Sequence, residues 1–262
     1  MSVRATPARP RADVAAAPPL VDARGLGVPA RLDDVTLRIE GGAVALIGAN
    51  GAGKSSLLHV LAGRLRPRQG EVRVLGVAPR DPAASRRRAY VPQQVELSPH
   101  LHGGEVLAAA ARARGLDRDA ARDAARRMAV LDVLDRPVGR LSGGLRQRVA
   151  LAAGLVGAPR LWLLDEPASA LDAGGLERLA SWAEEHVARG GGLIVSAHRP
   201  EEVDAFAHEA VLMKAGRIVD RTPVRELFVL EDASGEVVSF AREVRRRPGP
   251  RLRSVLGGDE DA

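Results

Sequence analysis

Val44-Ala45-Leu46-Ile47-Gly48-Ala49-Asn50-Gly51-Ala52-Gly53-Lys54-Ser55-Ser56-Leu57-Leu58 is the stretch from which the rest of the chain can be read. Four apolar residues run into a glycine-rich turn, and the turn runs into a second apolar series, which predicts a buried strand, a loop and a helix start. Gly48, Gly51 and Gly53 permit positive φ, so consecutive N–H groups of Ala49, Asn50 and Ala52 can face phosphate oxygens. The helix that follows points its N-terminal partial positive charge at the same place. Lys54 adds a cation for the β and γ phosphates, Ser55 offers a hydroxyl to Mg²⁺, and Ser56 completes the set. The competing reading is an ordinary glycine-rich turn. Lys54 and Lys214 are the only lysines among 39 basic residues, so a chance match has a probability of roughly one in a thousand.

Working outward, Leu161-Trp162-Leu163-Leu164-Asp165-Glu166-Pro167 is an apolar strand closed by two carboxylates. Side chains alternate across a strand, which predicts that Asp165 and Glu166 point apart, one toward the Mg²⁺ shell and one free to orient water. A phosphate loop requires such a magnesium partner on a neighbouring strand. Gly192-Leu193-Ile194-Val195-Ser196-Ala197-His198 is another buried strand, ending in a histidine at the same edge. Tyr90-Val91-Pro92-Gln93-Gln94 brings a strand to a polar loop, where an amide can reach inward. Leu141-Ser142-Gly143-Gly144-Leu145 opens a helix that Ser142 can cap, and the two glycines leave its N-terminus approachable by a second anion. Ser169-Ala170-Leu171-Asp172 forms a loop before a further helix. Taken one at a time, each of these is commonly a solvated loop or a capped helix start.

The chain has 262 residues, 45% hydrophobic and 27% charged, enough for one large domain or two small ones. It contains no cysteine, which excludes disulfide and thiolate chemistry. No apolar run approaches the ~20 residues of a membrane span, and Met1 to Leu20 lacks the apolar core of a signal peptide. A soluble, cytoplasmic polypeptide is the expectation. The net charge of +6 is carried almost wholly by dispersed arginines, and aromatic residues are only 2%. Few platforms exist for stacking bases, so no nucleic-acid partner is expected.

Residues 1–18 are expected to be a disordered lead. Strands are expected at Leu20-Val21-Asp22-Ala23, at Val35 to Glu40 and at Gly70 to Gly76. A helical insertion is placed at about 95–140, with apolar stripes through Val106, Leu107, Ala110 and Ala111 and through Ala121, Ala124, Ala125 and Met128. His100 and His102 lack a surrounding ligand cluster and read as surface residues. Ala210 to Met213 and Arg217 to Asp220 read as a hairpin, and Thr222 to Glu226 as the cap of a short final helix. A small extra hairpin is expected at 229–240 and a flexible charged tail at 241–262.

These motifs, in this order and spacing, resemble the nucleotide-binding subunit of ATP-binding-cassette (ABC) transporters over roughly residues 20–228. The resemblance implies an α/β P-loop cassette with a mainly parallel core sheet, an antiparallel β subdomain and an inserted α-helical subdomain. It also implies an ATPase that uses ATP and Mg²⁺. Gly48 to Ser55 looks like the Walker A loop, Gln93 the Q-loop glutamine, Leu141 to Gly144 the signature motif and Leu163 to Glu166 Walker B. Ser169 to Asp172 looks like the D-loop and His198 the switch histidine. By resemblance two copies, identical or related, close head to tail around two ATP molecules. Ser142, Gly143 and Gly144 of one subunit then meet the γ-phosphate held by Lys54 of the other. Glu166 is implied as general base, Asp165 and Ser55 with Gln93 attend Mg²⁺, His198 steadies the γ-phosphate, and Asp172 couples the sites.

Two departures stand out. Leu145 replaces the glutamine of many members, a variant similar to ABC-2 exporter subunits, and tilts the expectation toward export. The stretch Ala23 to Arg31 contains no aromatic residue for the adenine, leaving Leu26 or Val28 to pack on the base. The implied partner is a membrane-spanning permease, gripped between the Gln93 loop and the helical insertion, which would hold the chain on the cytoplasmic face of the membrane. An ABC ATPase of the iron-sulfur assembly type, acting with soluble partners, is the alternative. The presence of both Lys54 and Glu166 weighs against a noncatalytic cassette.

Overall fold

The computed structural model describes residues 18–231 and 237–242. Nearly all of the expected N-terminal lead and of the expected C-terminal tail therefore lie outside the described residues. In chain order the first part consists of β1 (Val21–Val28), β2 (Leu32–Ile39), β3 (Gly42–Ile47), α1 (Lys54–Leu61), β4 (Gln69–Val74), α2 (Pro82–Arg87) and β5 (Arg88–Val91). Next come α3 (Gly103–Ala113), α4 (Arg118–Arg127), α5 (Gly143–Leu155), β6 (Leu161–Asp165), α6 (Ala173–Ala188), β7 (Gly192–Ser196) and α7 (Pro200–Phe206). The chain then forms β8 (Glu209–Lys214), β9 (Arg217–Pro223), β10 (Leu227–Glu231) and β11 (Val237–Arg242).

Six strands form the main sheet in the order β5-β6-β7-β3-β8-β9, parallel except for the antiparallel β8–β9 pair. Its strands read as unbroken apolar runs because both faces are covered. Leu161, Leu163, Val44 and Leu46 face one core, shared with α1 and with the antiparallel sheet β2-β1-β4. Trp162, Leu164, Ala45 and Ile47 face the other, shared with α3 to α7. A single residue step along a strand thus switches cores. β10 and β11 pair with each other in a separate two-stranded sheet.

β1 continues past Ala23 to Val28, with register shifts after Ala23 and Leu26 that let its glycines bend the strand instead of ending it. Thr222 and Pro223 complete β9, and the expected final helix is a single 3₁₀ turn at Val224–Glu226. His102 caps α3, its N–H donating to Glu105 Oε2 at 2.7 Å.

Parallel strands place their C-terminal ends on one edge, so Ile47, Val91, Asp165 and Ser196 finish side by side. Asp165 and Leu46 both pair in register with Ser196. The carboxylate strand β6 is therefore not the neighbour of the loop strand β3, because β7 lies between them. Helix α1 spans this gap by packing across β6.

Candidate active site at the carboxyl edge of the sheet

The loop after β3 takes the shape its glycines permit, with φ of 145° at Gly48, 79° at Gly51 and 106° at Gly53. A Cβ on Gly48 would fall 2.2 Å from the carbonyl oxygen of Met213, so this position admits glycine alone. Ala49, Asn50 and Gly51 are exposed, while Ala52 is buried and its N–H bonds to Ala49 O at 3.0 Å. Lys54 begins α1 and is 4% exposed. Its Nζ donates to Gly48 O at 2.7 Å and Ala49 O at 3.2 Å, folding the ammonium back across the loop. Burial pushes its pKa below the ordinary lysine value, against the opposing pull of Glu166 and Asp165. Ser56 sits beside it in the first turn of α1, half-buried.

Across the gap, Ser55 Oγ donates to Asp165 Oδ1 at 3.1 Å. The same oxygen accepts from Ser196 Oγ at 2.6 Å, and Ser196 Oγ in turn accepts from the N–H of Glu166 at 2.9 Å. Ser196 was not singled out in the sequence, although it is a polar residue closing an otherwise apolar strand. From β7 it ties the two carboxylate residues together. Glu166 lies beyond the end of β6 with φ of 45°. Asp165 and Glu166 do point apart, but strand alternation is not the reason: the left-handed turn at Glu166 redirects its side chain. Its Oε2 accepts from Gln93 Nε2 at 2.6 Å, and its Oε1 bonds to His198 Nε2. Gln93 thus meets Glu166; no hydrogen bond joins it to Ser55 or Asp165 among the described residues.

Two further groups support this cluster. Glu202, 4% exposed, accepts from the N–H of His198 at 3.3 Å and from Arg199 Nε at 2.8 Å. Its carboxylate fixes the backbone that carries His198, so it is a positioning residue. Glu202→Gln is expected to lower kcat about fivefold with nucleotide affinity unchanged, read by steady-state ATPase kinetics. Tyr90 lies on β5 beneath the site, its buried hydroxyl without a hydrogen-bond partner among the described residues. Burial and the charge of Asp165 push it up to about 12.

Ser142, Gly143 and Gly144 are not joined to this cluster by any hydrogen bond among the described residues. Ser142 Oγ accepts from the N–H of Leu145 at 3.3 Å, capping α5, and the space beside Gly143 is open. A Cβ on Gly144 would lie 3.1 Å from Ala170 O, and Gln147 Nε2 donates to Pro167 O at 3.3 Å. The start of α5 is thereby held against the loop that follows Glu166. Asp172 caps α6 by accepting from Gly175 N at 2.9 Å and pairs with Arg148 on α5, which holds its carboxyl below the usual range. Nothing in linear spacing signals the Arg148 partner, because the two positions are 24 residues apart.

Residues 32–169 match the sequence pattern of a family described as ABC transporter. The chain belongs to the ABC transporter family. It is 39% identical over 203 residues to the molybdate/tungstate import ATP-binding protein WtpC of Archaeoglobus fulgidus, covering 74% of this chain and 82% of that protein. It is 38% identical over 214 residues to the cytochrome c biogenesis ATP-binding export protein CcmA of Bordetella bronchiseptica, covering 75% and 95%. A solved structure described as the ATP-binding subunit of an ABC transporter aligns with a TM-score of 0.72 at 29% identity, covering 78% of this chain and 90% of that one. The cassette fold expected from the ABC resemblance is thus the one observed: a parallel core sheet, an antiparallel sheet and inserted helices.

Proposed function

We propose that the chain is the ATP-binding and ATP-hydrolysing subunit of an ABC transporter, energising a separate membrane-spanning partner. One observation carries the reading. The Glu166 carboxylate is held between Gln93 and His198 at the same sheet edge as the glycine loop and the Ser55–Asp165 pair. The loop N–H groups, the start of α1 and Lys54 form an anion cradle for the β and γ phosphates. Glu166 accepts a proton from the attacking water, and His198 sets the carboxylate's position.

Ser55 Oγ and Asp165 Oδ1 form a pair of hard oxygen donors that fits Mg²⁺. Among the described residues no cluster of three or more His, Cys, Asp or Glu side chains forms a metal cage. Most of the ion's ligands would therefore be phosphate oxygens and water, as Mg²⁺ prefers. When bound, the ion neutralises charge on the β and γ phosphates.

Since no hydrogen bond among the described residues ties Ser142, Gly143 or Gly144 to their own chain's loop, the start of α5 is assigned to the γ-phosphate held by a second cassette, identical or related. Asp172, in the loop between β6 and α6, is the residue assigned to link the two sites. No helix among the described residues is long and apolar enough to cross a membrane. Attachment to the cytoplasmic face is assigned to a permease gripped between the Gln93 loop and α3. The outward direction rests on Leu145 alone, because relatives of similar identity include both an import and an export protein.

Affinity purification of the tagged chain from gently solubilised membranes tests the reading. A polytopic membrane protein in near-equal amount is expected. A soluble scaffold instead would replace the transporter reading with the iron-sulfur assembly type.

A further inference from the structure

We infer that the nucleobase is held by the guanidinium planes of Arg31 and Arg68, and that the site accepts adenine and guanine nucleotides with little preference. This rests on the ATPase reading above and concerns the same site. A cavity of about 660 Å³ opens between the β1–β2 turn, the start of β4 and Gly51 of the phosphate loop. That is within the usual range for small-molecule sites. Its position is fixed by backbone contacts: a Cβ on Gly53 or on Gly216 would lie 3.0 or 2.8 Å from Arg31 O, and Gly216 N donates to Ala52 O at 3.0 Å. A triphosphate seated on the loop therefore has this hollow beside it for its nucleoside.

Among the described residues no aromatic ring lines that hollow; its walls include Val28, Leu32, Arg31, Arg68 and Gln69. Asp33, the one carboxylate there, is engaged by Arg217, with Nε to Oδ2 at 2.8 Å. Arg31 and Arg68 carry no ion pair or side-chain hydrogen bond among the described residues, and both are exposed. Two free planar cations beside a phosphate site are suited to stacking on a flat heteroaromatic ring, which a lysine ammonium is not. Gln69 is the amide at this wall; its Oε1 lies 3.1 Å from where a Cβ on Gly27 would stand. An amide offers both donor and acceptor, so by turning over it matches the amino edge of adenine or the oxo edge of guanine. Stacking of this kind does not distinguish purines.

Displacement of a fluorescent ATP analogue from the full chain, with Mg²⁺ present, tests this using ATP, GTP and inorganic tripolyphosphate as competitors. GTP is expected to bind within about threefold of ATP. The double variant Arg31→Lys/Arg68→Lys keeps both charges and loses both planes. It is expected to bind ATP and GTP about tenfold more weakly and tripolyphosphate unchanged. Preference for ATP above about thirtyfold, unaltered nucleotide binding by the double variant, or equal weakening of tripolyphosphate would each overturn the inference and leave the ATPase reading standing. A chain that binds neither tripolyphosphate nor nucleotide would overturn both.

Discussion

Glu166→Gln is expected to bind MgATP as the parent does and to turn it over at least about a hundredfold more slowly, the usual contribution of a positioned base. Glutamine keeps the volume and an acceptor oxygen, so the bond from Gln93 Nε2 survives, as does the bond that the residue's own N–H donates to Ser196 Oγ. What is lost is the capacity to take a proton from water. Because the left-handed backbone at this position is common to both residues, the substitution introduces no conformational difference of consequence. Steady-state phosphate release measured beside equilibrium nucleotide binding separates the two effects. Unchanged turnover would remove Glu166 from the role of base.

Lys54→Met gives the second large effect. The ammonium is almost fully buried and already directed across the loop by the carbonyls of Gly48 and Ala49. A charged donor prepositioned in this way loses little freedom when a triphosphate arrives. Removing it is expected to weaken MgATP binding by about a hundredfold or more, the equivalent of about 3 kcal/mol, typical of a hydrogen bond to a charged group. The fold should survive, since a buried charge is replaced by an apolar chain of similar length. Calorimetric titration with ATP gives the affinity, and far-ultraviolet circular dichroism checks the fold. Parent-like affinity would show that the loop N–H groups alone hold the phosphates.

Much of this arrangement is legible in the sequence because several of its parts are local. A glycine loop between a strand and a helix, two acids closing an apolar run, and a serine before two glycines each declare themselves within a few residues. What is not legible is relative placement. The insertion of β7 between β3 and β6 is a property of strand order, and it converts Ser196 from a strand residue into the link between Asp165 and Glu166. The divergence of the two carboxylates was expected from the pleat, yet it arises from one positive φ that a residue such as glutamate rarely adopts. Glu202 could have been found as an acid in the first turn of the helix after His198, where carboxylates commonly satisfy free N–H groups. The pairing of Arg148 with Asp172 depends on how α5 meets the start of α6, and no motif records that.

The same strand order governs how the protein is made. The main-sheet partners of β3 are β7 and β8, which the ribosome delivers about 145 residues later. At about 5–20 residues per second, the apolar strand Gly42–Ile47 waits on the order of ten seconds with both hydrogen-bonding edges open. The nascent chain therefore passes through a sticky, half-built stage in every round of synthesis. Until β7 and β8 arrive, that strand is an unpaired apolar edge of the kind that other chains can pair with.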